Sequence, residues 1–236
     1  MKWFFIPILS LPLLFSCLTK ASKESTASDE IVIDTLNSAK TVEESLDTLI
    51  SSLSDTSFLF LSALSNDFVY DMKYATTDNF LKTRVYSCNQ CLIRKEVAVG
   101  LIKANDLLIQ QGYRIKLFDC YRPLSIQKKM WEVLPDSKYV ANPKYGSVHN
   151  RGGAVDITLV DTDGNELAMG TSFDHFGVEA HHSYSKLPDN VITNRRLLKE
   201  TMEAAGFTAI DTEWWHYNYG TSRTNYPVSD FETKCN

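Results

Sequence analysis

Four side chains, split between the middle and the end of the 236-residue chain, have the types that a hydrolytic metal site needs. His149 and Asp156 close the run Ser147-Val148-His149-Asn150-Arg151-Gly152-Gly153-Ala154-Val155-Asp156, and Glu213 and His216 bound the run Glu213-Trp214-Trp215-His216. Two imidazoles and one carboxylate supply three protein ligands to a zinc ion, one per chain, and leave a fourth tetrahedral position for a water or a substrate oxygen. The remaining carboxylate, Glu213, is available to deprotonate that water. A lone histidine reads as a surface or core residue, and an isolated Glu-x-x-His triplet recurs in unrelated chains. The conjunction of the four is what points to a metal.

Charge stabilisation needs a fifth residue. A tetrahedral oxyanion calls for positive charge beside the metal, and Arg122, in Asp119-Cys120-Tyr121-Arg122-Pro123, stands at a strand-to-helix junction suited to supply it.

These residues must be brought together by the elements around them. Gly152-Gly153 permits a tight turn, so His149 can face a carboxylate on the strand that follows. That strand, expected over Ala154–Val160, puts Asp156 on a face with Ala154 and Thr158, opposite Val155, Ile157 and Leu159. Positions three apart on an extended strand point to opposite faces, so Glu213 and His216 reach one metal only if the chain bends between them. A strand over Arg114–Asp119 should set Ile115, Leu117 and Asp119 against Lys116 and Phe118. Helices are expected over Glu96–Gln111, after Pro123, and over Val191–Ala205, the first and last stopped by Gly112 and Gly206. Asp163-Gly164 signals a hairpin, and Phe207–Ile210 and Trp214–Tyr219 read as strands. Helices and antiparallel strands mix without a regular βαβ period, which predicts an α+β domain with a mainly antiparallel sheet.

A formal net charge of −5 and no stripe of Lys and Arg speak against nucleic acid as a partner, and no feature calls for an obligate protein partner. Residues 1–16 have the form of a signal peptide, with Lys2 ahead of an apolar run short for a transmembrane span. The run ends in Leu14-Phe15-Ser16-Cys17, which resembles a bacterial lipoprotein signal with Cys17 as the lipid anchor and membrane attachment. Residues 17–55 are rich in Ser, Thr and acidic residues and read as a tether; a flexible chain of that length reaches about 35 Å. Thr41–Leu53 has helical spacing of apolar residues within it. Residues 56–236 form the catalytic domain. An even number of cysteines, Cys88, Cys91, Cys120 and Cys235, in an exported chain predicts disulfides, and the spacing leaves all three pairings open.

Taken in order, Tyr74-Ala75-Thr76 through Asn79-Phe80, Tyr121-Arg122-Pro123, Ser147 through Asp156, Met169-Gly170 through Asp174, and Glu213-Trp214-Trp215-His216 resemble the VanX-type D-Ala-D-Ala dipeptidases, zinc peptidases of family M15 with the LAS or hedgehog-like fold. The resemblance implies zinc on His149, Asp156 and His216, Glu213 as catalytic base, Arg122 at the transition state, and Asp174 as the acid that receives the free amino group of a D,D-dipeptide. It also implies a lesser part for Ser147 in lining the substrate. The segment Val133–Gly146 is shorter than in the antibiotic-resistance enzymes. His181 and His182 match a paired histidine of the family and are read as loop or structural residues; Tyr70, Tyr74 and Trp215 are read as core or pocket-wall aromatics. With the export signal, the implied activity is D,D-dipeptide hydrolysis in the periplasm or cell envelope, in peptidoglycan turnover. The rival readings are a D,D- or L,D-carboxypeptidase acting on muropeptides and a non-catalytic zinc-containing module that binds cell wall.

Overall fold

The computed structural model describes Thr48, residues 50–220 and residues 226–232. The expected signal peptide, Cys17, the tether up to residue 47 and Cys235 lie outside the described residues. No helix among the described residues is long and apolar enough to cross a membrane.

The main sheet has five strands in the order β2-β4-β5-β7-β6, where β2 is Val69–Tyr70, β4 Arg114–Asp119, β5 Ala154–Val160, β6 Phe207–Ile210 and β7 Glu213–Tyr219. Only β2 runs parallel to its neighbour. A second, two-stranded sheet pairs β1, Phe58–Phe60, with β3, Leu92–Arg94. Helix α1, Lys95–Ile109, packs on β4 and on α3, Asp189–Ala204, which in turn packs on β6 and β7; α2, Leu124–Val133, leaves the end of β4. The architecture is the mixed α+β arrangement expected.

Apolar periodicity accounts for the core. Val97, Leu101, Ala104 and Leu108 recur along one face of α1 and bury against Ile115 and Leu117 of β4 and Val155, Ile157 and Leu159 of β5. Every residue of β5 is buried, so this strand lies at the centre of the domain. Leu53 joins the same cluster; the last turn of the helix expected over Thr41–Leu53 therefore belongs to the packed domain. After β5, the Asp161 carboxylate accepts the backbone N–H groups of Asp163 and Asn165, and the chain returns to bridge Val160 with Glu166, as the hairpin signal implied. Boundaries differ from expectation by one or two residues: α1 spans Lys95–Ile109, α3 spans Asp189–Ala204 and β7 starts at Glu213. Cys91 and Cys120 form a disulfide with Cα atoms 5.4 Å apart.

Candidate active site

The two middle strand pairs of the main sheet, β4 with β5 and β5 with β7, carry the site. Asp156 and His216 are direct cross-strand partners in the β5–β7 ladder, so backbone register alone puts a carboxylate beside an imidazole. His149 opens a 3-10 turn, His149–Arg151, just before β5. That turn ends at Gly152 with φ 70°, where a Cβ would lie 2.5 Å from the Phe58 ring; only glycine fits both the backbone and the space. Asn150 ties the turn down, its side chain accepting from the Ser147 backbone and hydroxyl and donating to the Arg122 carbonyl.

His149, Asp156 and His216 are all buried, and each offers one ligand atom to a common centre. His149 Nε2 lies 3.2 Å from His216 Nδ1 and 3.3 Å from Asp156 Oδ1, and His216 Nδ1 lies 3.0 Å from Asp156 Oδ1. The outer ring nitrogens fix the tautomers. His149 Nδ1 is 2.7 Å from the Cys120 carbonyl, which can only accept, and His216 Nε2 is 3.0 Å from Asn218 Oδ1. In its neutral form each ring therefore turns a lone pair inward, toward the other ring and toward a carboxylate oxygen. Three lone pairs at that spacing suit a shared cation. Zinc bonds of about 2.0 to 2.1 Å in a tetrahedron give ligand-to-ligand edges of about 3.3 to 3.4 Å, close to the separations observed. Burial alone would raise the Asp156 carboxyl, and the positive charge of His149 and His216 in their protonated forms holds it well below its usual range.

The bend expected between Glu213 and His216 is present as a register shift. Ala209 pairs with Tyr217, but the next residue of β6, Ile210, pairs with Glu213, so Trp214, Trp215 and His216 bulge from the β6–β7 ladder. The bulge brings Glu213 Oε2 to 4.0 Å from His216 Nδ1. Burial raises the Glu213 carboxyl; His216 opposes the rise and Asp156 adds to it. A carboxylate in that setting is a better proton acceptor than one in water.

Arg122 is buried and held on three sides. Its Nε and Nη2 donate to Asp119 Oδ2 at 3.2 and 2.5 Å, its Nη1 donates to Gln127 Oε1 at 2.9 Å, and the guanidinium stands 5.0 Å from the centre of the Tyr74 ring. Those three bonds leave two of the five guanidinium N–H donors. Burial opposes the charge, and Asp119, Tyr86 and Tyr74 together more than offset it. Here strict alternation along β4 fails. A bulge after Leu117 sets Asp119 opposite Asp156, so Asp119 shares the site face rather than the face of Ile115 and Leu117. Asp119 is fully buried, accepts the Tyr86 hydroxyl at 2.6 Å and lies 3.6 Å from His149 Nδ1.

Asp174 belongs to the same electrostatic group. Its backbone is left-handed, φ 58°, and the Tyr74 hydroxyl donates to its carboxylate at 3.0 to 3.2 Å. Burial pushes its carboxyl well above the ordinary value, and Asp156 adds to the rise, against the pull of Tyr74 and Arg122. A carboxylate so placed is satisfied by an ammonium group. Asn79 holds the loop that carries Tyr74 through bonds to the carbonyls of Lys73, Thr76 and Thr83. The Ser147 hydroxyl is engaged with Asn150 and shapes the His149 turn. His181 and His182 sit in a loop fixed by Arg195 and Asp211, apart from the three-residue centre.

Asp119, Tyr86, Gln127 and Asn218 have no motif of their own, and Tyr74 reads from sequence as an aromatic wall. The available signal was Asp119 itself, an acidic residue closing an apolar strand three positions before an arginine.

The sequence model of the D-ala-D-ala dipeptidase family matches residues 54–234. The chain is 34% identical over 184 residues to a D-alanyl-D-alanine dipeptidase of Escherichia coli (strain K12), a match covering 78% of this chain and 95% of that protein. It is 34% identical over 197 residues to one of Enterococcus faecium, covering 72% and 98% respectively. One of Enterococcus faecalis (strain ATCC 700802 / V583) is 31% identical over 201 residues, covering 74% and 100%.

Proposed function

The chain belongs to the peptidase M15 family of D-Ala-D-Ala dipeptidases, and on that premise we propose that it is a zinc-dependent dipeptidase that hydrolyses D-Ala-D-Ala. The observation that carries this reading is the inward-facing set of His149 Nε2, His216 Nδ1 and Asp156 Oδ1 at 3.0 to 3.3 Å, with Glu213 beside it. These three residues would hold one zinc ion. Zinc, when bound, supplies Lewis acidity that polarises a carbonyl and makes water a nucleophile near neutral pH.

The chain's own residues do the rest. Glu213 accepts the proton of the attacking water and returns it to the leaving amine. Arg122 presents fixed positive charge to the oxyanion as it develops, in a site already arranged for it. Asp174, oriented by Tyr74, receives the free amino group of the dipeptide and so discriminates against longer chains, whose corresponding nitrogen is an uncharged amide. Ser147 contributes by shaping the turn that offers His149.

The setting is the cell envelope, supported by the apolar leader and the Leu14-Phe15-Ser16-Cys17 run and by a cysteine pair that suits an oxidising compartment. Attachment through lipidated Cys17 and a role in peptidoglycan turnover complete the reading. Incorporation of a fatty-acid probe, lost in Cys17→Ser, tests the anchor. Purified protein is expected to release D-alanine from D-Ala-D-Ala, to stop when a chelator strips the metal and to resume when zinc is restored. A zinc-loaded preparation that leaves every D,D-dipeptide intact overturns the substrate.

A further inference from the structure

We infer that the Cys91–Cys120 disulfide is a positioning element of the metal centre, because it fixes the backbone carbonyl that orients His149. The inference rests on the reading that His149, Asp156 and His216 hold zinc. Cys120 follows β4 directly, past the bulge at which the β4–β5 ladder loses its regular register. Its backbone works in two directions: the carbonyl, in the peptide group shared with Tyr121, accepts from His149 Nδ1 at 2.7 Å, and the N–H donates to Asp119 Oδ1 at 2.9 Å. One residue therefore touches both a metal ligand and the carboxylate that grips Arg122.

What holds that peptide group comes from the other sheet. The disulfide joins Cys120 to Cys91, the residue before β3, and Tyr121 donates its N–H to the Leu92 carbonyl of β3 at 3.1 Å. Cys91 in turn accepts from Leu61 just after β1. The staple thus ties the two-stranded sheet to the main sheet at the point where the His149 tautomer is set. Both cysteines are buried, so the bond is part of the packing and not a surface link. Released from the staple, the Cys120 carbonyl gains freedom, and the His149 ring loses the acceptor that keeps Nε2 turned toward Asp156 and His216. Outer partners of metal-bound histidines change metal affinity by roughly 10- to 100-fold when lost.

Zinc dissociation constants, measured by chelator competition on the purified full chain and on Cys91→Ala/Cys120→Ala well below both melting temperatures, separate this role from simple bracing. The double variant is expected to bind zinc roughly 10- to 100-fold more weakly, and the imidazole nitrogen spectrum of metal-free protein is expected to show His149 passing from one tautomer to a mixture. Should the alanine pair fail to fold, Cys91→Val/Cys120→Ala restores volume and carries the same expectation. Equal dissociation constants beside a lowered melting temperature overturn the inference alone. A wild-type chain that binds no zinc overturns it together with the reading on which it rests.

Discussion

On one side of the site, Asp156 and His216 face each other as paired residues of adjacent central strands; on the other, Arg122 and Asp174 stand on connecting segments and are aimed by the side chains of Asp119, Gln127 and Tyr74. The first half inherits its geometry from backbone hydrogen bonds and a buried β5. The second depends on a chain of polar side chains, Tyr86 to Asp119 to Arg122 and Tyr74 to Asp174, each satisfied by the next. The Asp156–His216 pairing should therefore survive cuts in that polar chain, whereas the substrate-facing half should fail piece by piece.

Substitutions can break that contrast. The largest effect is expected for His216→Ala, which removes one of the three proposed ligands: metal analysis should find zinc lost and activity at background. Glu213→Gln should keep its zinc and lose about 10²- to 10⁴-fold in turnover, the usual worth of a general base. Arg122→Lys keeps the charge but not the three-sided grip, and should lower kcat by about 10²- to 10³-fold with zinc stoichiometry unchanged. Zinc loss in either of these two would mean that the halves are not separable.

Smaller effects sharpen the picture. Asp174→Asn should act mainly on KM for the free dipeptide, by about 10- to 100-fold, as expected for a hydrogen bond to a charged group. His182 lies outside both halves and sets a stability scale. Burial, with Lys199 and Arg195 nearby, lowers its pKa to about 4. The unfolded chain therefore binds a proton at higher pH than the folded one, near 6.5, and stability present above that pH is lost as pH falls toward 4. In chemical denaturation, wild type should lose more stability across that window than His182→Asn; parallel curves would refute the assignment.

The halves also differ in how far sequence exposes them. Alternation along Ala154–Val160 placed Asp156 on the face opposite Val155, Ile157 and Leu159, and the geometric conflict between Glu213 and His216 demanded the bulge that β7 contains. Asp119 went the other way. Alternation set it with Ile115 and Leu117, and a second bulge, with no glycine to mark it, moved it to the site. Tyr74 and Asp174 are 100 residues apart, and only the folded chain shows that one hydroxyl aims the other's carboxylate. Strand periodicity is local and legible, while bonds between distant side chains leave no local trace.

Recognition of the free amine by Asp174 is tested by offering D-Ala-D-Ala and N-acetyl-D-Ala-D-Ala to the same zinc-loaded enzyme and following D-alanine release by mass spectrometry. Rapid cleavage of the free dipeptide is expected, with a loss of at least about 10-fold for the acetylated one, whose nitrogen carries no charge for Asp174. Equal cleavage of both, or preference for the blocked peptide, would contradict it and make the enzyme a carboxypeptidase.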